Sequence, residues 1–333
     1  MRVRVALPAL LLAAFATVTL GPAANLAGGT AVSRAGAWSL MRGEYRSELQ
    51  AGTYSTKTSY DAEGTRLEFA RPPGKLGQLA YAWRTEVGWR KKLSLQFGIT
   101  GLSVSGFEGP PIMIAGQDTV PTHSGLSQLD LGLHYNIMNG NRAMALEAGW
   151  HAPAGYDRKL NPALGDGRQE LYGRLNWGST LGQRGFLELS GGGSYRFHKF
   201  GSGDSSSKKD PRLTTNVYYD FGADMGLWFG HSLMIGGRYL GRMLGSTNGR
   251  GTASNVHQIG PIRLAGKDQL EESVQLAGPL LLYRLDDRLD LIAGSYSTPT
   301  GKNTLHFDEF YVSLAFKQSK LKRNQGFLGS SAQ

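Results

Sequence analysis

The chain contains no cysteine. That excludes disulfide staples, thiol nucleophiles and cysteine-bound metals, and it suits a protein of the cell envelope. Beyond the first twenty residues there is also no apolar run of membrane-spanning length, so a helical membrane protein is excluded. A lack of such runs does not exclude a membrane barrel, because only every second strand residue faces lipid. The seven histidines are scattered without ligand spacing, so no metal site is expected. Asp61, Glu63 and Asp166 could touch Ca²⁺, but solvated loop acids are the plainer reading. Phosphate-cradling loops are missing as well. The glycine-rich stretch GSGDSSSKKD at 201–210 reads as a polar loop tip, so no cofactor is expected.

Charge is sparse: 19% of residues are Asp, Glu, Lys or Arg. The formal excess of +10 forms no basic stripe. Its cations fall in Arg90-Lys91-Lys92, in Lys208-Lys209 and in the tail at Lys317, Lys320, Lys322 and Arg323. Dispersed turn charges are ordinary solubility, and no nucleic-acid partner is expected.

What is present begins with a basic MRVR, an apolar VALPALLLAAFATVTL and a small-residue GPAANLAGG. This is the layout of a secretory signal peptide, expected to occupy residues 1–27, with cleavage near 23–27. Residues 28–43 would then form a short N-terminal segment on the periplasmic side.

From there the pattern is a repeated hairpin. In LDLGLHYNIMNGNRAMALEAGWHAP at 129–153, Leu129, Leu131, Leu133, Tyr135 and Ile137 alternate with Asp130, Gly132, His134 and Asn136, and Asn-Gly-Asn-Arg makes the turn. The same period predicts strands near 44–55, 77–89, 93–104, 126–138, 143–152, 169–181, 186–197, 213–228, 232–242, 272–285, 289–297 and 307–317. Many are ten residues or more, about what a tilted strand needs to cross a bilayer. The connectors RKK, NGNR, GQRG, FGH and DDR are short. They alternate with long ones at 56–76, 105–125, 153–168, 198–212 and 243–271, and an intermediate one at 298–306. Short turns on one rim and long loops on the other are the layout of outer-membrane barrels. The expected fold is therefore all-β: a transmembrane, antiparallel, up-and-down β-barrel of about twelve strands at 44–317, behind a cleaved signal peptide and before a polar tail at 318–333. Both termini would be periplasmic.

In such a barrel the apolar face looks at lipid. Tyr45, Tyr81, Trp83, Trp89, Tyr135, Trp150, Trp177, Tyr195, Tyr219 and Tyr239 fall on it, several of them near strand ends where aromatic girdles sit. The opposite face supplies the lumen: Arg46, Glu48, Arg84, Glu86, Asp130, His134, Glu147, His151, Glu170, Arg174, Arg196, Asp220, Asp224, Arg238 and Arg242, with Glu44 and Glu188 in the same phase. Counting back from the turns sets His134 opposite Glu147, Asp130 opposite His151 and Glu170 opposite Arg196. It sets Asp220 and Asp224 diagonal to Arg242 and Arg238. Opposite charges on neighbouring strands fix register. Such pairs could orient a solute, or simply form a polar core that holds the barrel closed. Mixed signs argue against a strongly anion-selective porin. Loop 105–125 adds Phe107, Ile112, Met113 and Ile114, apolar residues that could fold inward over a greasy site or pack on neighbouring loops.

An enzyme is not expected. Asp130–His151 and His134–Glu147 could orient a base, but a hydrolase also needs an adjacent nucleophile. Ser127 falls on the lipid-facing side, away from both histidines, and the His-Ser of Pro121–Gly125 lacks a phospholipase-like context.

Three segments carry a family resemblance: GAWSLMRGEY at 36–45, PAGYD at 153–157 and NPALGDG at 161–167. With the hairpin array they resemble the outer-membrane transporters of the meta-pathway phenol-degradation type, distant relatives of the long-chain fatty-acid channel. That resemblance implies passive uptake of small hydrophobic or aromatic solutes. The expected partners are outer-membrane lipid and lipopolysaccharide, the barrel-assembly machinery and a small-molecule solute. The fatty-acid channel has more strands and an N-terminal plug; residues 28–43 are too short for a full plug. The alternatives are a sealed structural or ligand-binding barrel acting through its outer loops and, less favoured, an outer-membrane hydrolase.

Overall fold

The computed structural model describes residues 37, 38, 40, 42–60, 64–68, 76–105, 122–154, 169–182, 184–197, 216–247, 257–259, 262–264, 273–302 and 304–318. Alternating residues and turn formers give the strands β1 (Tyr45–Tyr60), β2 (Arg66–Glu68), β3 (Leu76–Arg90), β4 (Leu93–Ser105), β5 (Thr122–Met138), β6 (Arg142–Pro153), β7 (Gln169–Leu181), β8 (Gly185–Phe197), β9 (Asn216–Phe229), β10 (Leu233–Thr247), β11 (His257–Ile259), β12 (Ile262–Leu264), β13 (Ser273–Arg284), β14 (Leu289–Lys302) and β15 (Thr304–Gln318). Twelve are long. They follow one another antiparallel around the sheet, and β15 pairs with β1 to close it. Closure removes the exposed edge that an open sheet of this length would carry. The short β2 continues β1's pairing at Thr58–Tyr60, beyond the end of β3, and β11 and β12 form a separate two-stranded hairpin.

The twelve long strands match those read from the sequence, several with longer ends; β2, β11 and β12 were not foreseen. β1 runs on to Tyr60 and β10 to Thr247, β5 begins at Thr122, and β14 ends at Lys302 with β15 starting at Thr304, so the intermediate loop at 298–306 is mostly strand. Five short connections lie on one rim. Gly140, Gly182 and Gly230 take positive φ in three of them, which only glycine adopts without strain.

Polarity is inverted relative to a soluble protein. Leu49, Phe97, Leu131, Leu133, Leu146, Leu175, Leu189, Met225, Leu227, Ile235 and Phe310 are exposed on the outside, while Arg84, Glu86, Glu147, Glu170, Arg174, Arg196, Asp220, Asp224 and Arg242 are buried within. Of the predicted girdle aromatics, Tyr81, Trp83, Trp89, Tyr135, Tyr195 and Tyr219 are exposed; Tyr45, Trp150, Trp177 and Tyr239 are partly covered. Each large apolar chain passing from water to hydrocarbon contributes about 1.5–3 kcal/mol. A belt of this extent makes bilayer insertion the stable arrangement, and the fold is a transmembrane β-barrel.

One register shift alters a sequence expectation. β4 and β5 pair as Thr100 with Gln128 but Gly101 with Leu126, leaving Ser127 as a bulged residue. A bulge inserts one residue and resets alternation. Ser127 is therefore buried and donates to Thr100 O at 3.2 Å, rather than facing lipid.

Candidate functional site

The lumen has two unlike walls. The first, from β1 and β3–β10, carries the charges. Asp130 meets His151 Nδ1 at 2.6 Å, and the His151 ring stacks on Tyr172 at 4.6 Å between centroids. Glu170 accepts from Arg196 Nε at 3.1 Å and from Arg242 Nη2 at 2.7 Å. Arg242 also donates to Asp220 through Nε at 2.7 Å, and Arg174 approaches Asp220 at 3.6 Å. Pairs that look separate in sequence are thus one network spanning β7, β8, β9 and β10. Tyr218 lies beneath it, with the Arg196 and Arg242 guanidinium carbons 5.0 and 5.3 Å from its ring centre. Cation–π contact and full hydrogen bonding offset the cost of burying these groups.

Below the network, Arg238 pairs with Asp224 at 2.9 Å and donates to Tyr296 Oη at 3.1 Å. The register makes Arg238–Asp224 and Arg242–Asp220 directly opposite, not diagonal as the sequence count gave. The reason is the place of the tight connection: Phe229 pairs with Leu233, so the three turning residues are 230–232 and not 229–231, and a turn moved by one residue shifts each pairing by two. The pairings of Asp130 with His151, His134 with Glu147 and Glu170 with Arg196 stand as counted. His134, however, bonds elsewhere. Its Nδ1 lies 3.2 Å from Glu86 Oε1, to which Ser94 also donates, and Glu147 instead accepts from Asn176 at 3.3 Å. Arg46 pairs with Glu48 on its own strand at 3.0 Å, and Arg84 donates to Gln50 at 3.0 Å.

The second wall was not foreseen. Leu240 of β10, Leu276, Leu280 and Leu282 of β13, Ile292 and Tyr296 of β14, and Tyr311 and Ala315 of β15 form a buried apolar cluster with Trp228 and Met234. Tyr296 and Tyr311 stack at 5.4 Å. The signal was the loss of alternation in Ala277-Gly-Pro-Leu-Leu-Leu-Tyr283, where both phases are apolar because one meets lipid and the other the lumen. A small cavity lies along the seam between the walls, lined by Arg174, Asn176, Asp220 and Arg242 on one side and Leu240 and Leu276 on the other.

The segment before β1 reaches into the short-turn mouth. Trp38 Nε1 donates to Gly140 O at 3.0 Å. The Trp38 ring and buried Ala37 fill the space a side chain at Gly178 would need. Although too short for a full plug, this segment forms a strap from β1 toward β7.

The arrangement offers hydrogen bonding and apolar contact. Ser94 shares a carboxylate with His134 rather than donating to the imidazole, and Ser94, His134 and Glu86 are all buried. A nucleophile relay needs the hydroxyl on the base. Among the described residues no group of three or more metal-ligating side chains converges. Phe107, Ile112, Met113 and Ile114 lie outside the described residues, as do Asp61, Glu63 and Asp166.

No family profile matches the sequence, and no curated protein matches it. Among solved structures, the COG4313 outer membrane channel from Pseudomonas putida F1 is similar over 86% of this chain and 100% of its own, with a TM-score of 0.63 and 14% identity. The NanC porin covers 82% of this chain and 100% of its own at a TM-score of 0.47 and 6% identity. The P. putida toluene transporter TodX covers 84% and 91% at 0.36 and 8%. At such identities the likeness to the COG4313 channel is one of fold.

Proposed function

We propose that this protein is an outer-membrane channel for passive uptake of small hydrophobic or aromatic solutes, exported through a signal peptide at residues 1–27. The observation that carries this reading is the apolar lumen wall of β10 and β13–β15 facing a charged ladder, with a cavity along their seam. A lumen built only to be sealed needs no stripe of leucines next to a polar network. A porin for polar solutes would not place leucines along its path. The apolar wall would hold the solute body, and Arg174, Asp220 and Arg242 would contact its polar groups. The shared fold with an outer membrane channel agrees with this. Among the described residues no nucleophile is set against His134 or His151, and catalysis forms no part of the proposal.

The test is planar-bilayer conductance of the refolded mature chain, with and without aromatic and fatty-acid solutes. Small conductance steps that apolar solutes block are expected. Changing Leu276 to Asn should weaken that block by about tenfold, since a lost apolar contact is worth on the order of 1–2 kcal/mol. Changing Glu170 to Gln together with Arg196 to Gln should alter the ionic conductance.

The sealed-barrel reading has one observation in its favour: the Arg242 network links β7 to β10 on the polar side and the Trp38 strap reaches the short-turn mouth. Silence from a folded, inserted barrel, with no solute binding, would support it and overturn the channel.

A further inference from the structure

The short-turn rim is electrically lopsided. Three neighbouring connections, Trp89–Leu93, Met138–Arg142 and Leu181–Gly185, carry Arg90, Lys91, Lys92, Arg142 and Arg184 and not one acid. The other half of the rim holds His231, Asp286, Asp287 and Arg288, with Arg42 and Glu44 beside the start of β1. All five cations of the first half are exposed.

These turns form one rigid edge. Asn136 N donates to Lys92 O at 2.7 Å, Thr180 N to Asn141 O at 2.8 Å and Trp228 N to Arg184 O at 2.7 Å. Each connection is thereby tied to the next strand in the circuit, and successive turns sit two strand spacings, about 10 Å, apart. Lys92 Nζ reaches Ile137 O at 3.4 Å, bridging the first turn to the second. Directly above, on the lipid side, stand exposed Trp89, Tyr135, Met138 and Leu181, and the Arg90 guanidinium lies 5.0 Å from the Trp89 ring centre. Aromatic rings mark the level of lipid headgroups, and long cationic chains extend from there toward the interface. The five charges therefore sit at headgroup depth, not out in the water.

We propose that this arc, from the β3–β4 turn to the β7–β8 turn, is a docking surface for anionic phospholipid, whose phosphodiester headgroups bridge adjacent turns while their acyl chains lie on Trp89, Tyr135 and Leu181. Solubility alone would scatter cations around the rim. Here five crowd one arc without an acid, on a braced edge and beside an aromatic belt, whereas Arg288 stands beside two aspartates. A soluble acidic partner would not need that belt.

The test uses the full barrel in vesicles of zwitterionic phosphatidylethanolamine containing an equal mole fraction of brominated phosphatidylglycerol or brominated phosphatidylethanolamine. Bromine quenches tryptophan fluorescence at close range. Excess quenching by the anionic lipid is expected, corresponding to a roughly fivefold preference for each cation that one headgroup engages. The preference should fade when salt shortens the screening length to about 3 Å. It should vanish in a variant with Arg90, Lys91, Lys92, Arg142 and Arg184 all changed to Gln, and persist when His231 and Arg288 of the opposite arc are changed to Gln. Heat-modified gel migration checks that each variant is folded. If the fivefold variant does not fold, the Lys91→Gln/Lys92→Gln pair should show a partial loss. Equal quenching by the two lipids, or a preference that survives loss of the arc's cations, would overturn the proposal. Loss through the opposite arc alone would overturn it as well.

Discussion

Arg242 sets what one residue can do in this lumen. It donates to Glu170 two strands past its neighbour and to Asp220 on that neighbour, and all three groups are buried. Removing one member of a buried ionic set strands its partners and costs about 3–5 kcal/mol. Arg242→Met should therefore lower stability by that much in urea unfolding from vesicles. Adding Glu170→Gln should recover part of the loss, because the two substitutions act on one network and are not additive. Independent, additive effects would show that the network carries no shared energy. The residue scale was half legible. Asp130–His151 and Glu170–Arg196 could be counted from Asn-Gly and Gly-Gln turns, since turn length fixes register. The partner of His134 could not be counted, because Glu86 reaches it from β3 across β4, and hairpin counting sees only the next strand.

At the scale of the element, the β4–β5 bulge decides which face a serine shows. Ser127 is the one residue in that pair without an opposite partner. Deleting it should leave Thr100 opposite Gln128 and Gly101 opposite Leu126 in an unbroken ladder, and the barrel should still fold and show heat-modified migration. A misfolded product would mean that the bulge itself supplies necessary curvature. Alternation run back from Leu129 puts Leu126 inward and Ser127 outward; both leucines in fact face outward, three residues apart, and only the partner strand shows that Ser127 is the extra residue. β13 shows the converse failure: its Pro-Leu-Leu-Leu has no period to read, and its second apolar face became visible only once the barrel was closed around it.

For the whole molecule, closure is the fact on which the rest depends. The seam between β15 and β1 spans Tyr45 to Tyr60. Beside it, Lys317 of β15 contacts Asp290 of β14, whose side chain is fully buried. Lys317→Met would leave that carboxylate with Arg284 at 3.8 Å. Stability should fall by about 3 kcal/mol or more, read as a lower urea midpoint and slower recovery of the folded band on refolding. An unchanged midpoint would show that the β14–β15 pair is held without this ion pair. The twelve-strand count, the lipid face and the order of short and long connections were all legible because they follow from period and turn chemistry. The strap at Trp38 was not, since its anchor at Gly140 lies 102 residues away.

A tube whose lining is ionic on one side and oily on the other has no rotational symmetry to offer a traveller. Under the channel function proposed above, a molecule with one greasy flank would pass in a single orientation, leaning on the leucines, and would let go of each foothold before reaching the next. Transit of that kind is a sequence of adsorptions, and its rate levels off once the footholds are full. Uptake into vesicles should therefore approach a plateau as solute concentration rises, and two different apolar solutes should slow each other. A strictly proportional rise, with no mutual interference, would describe a plain hole.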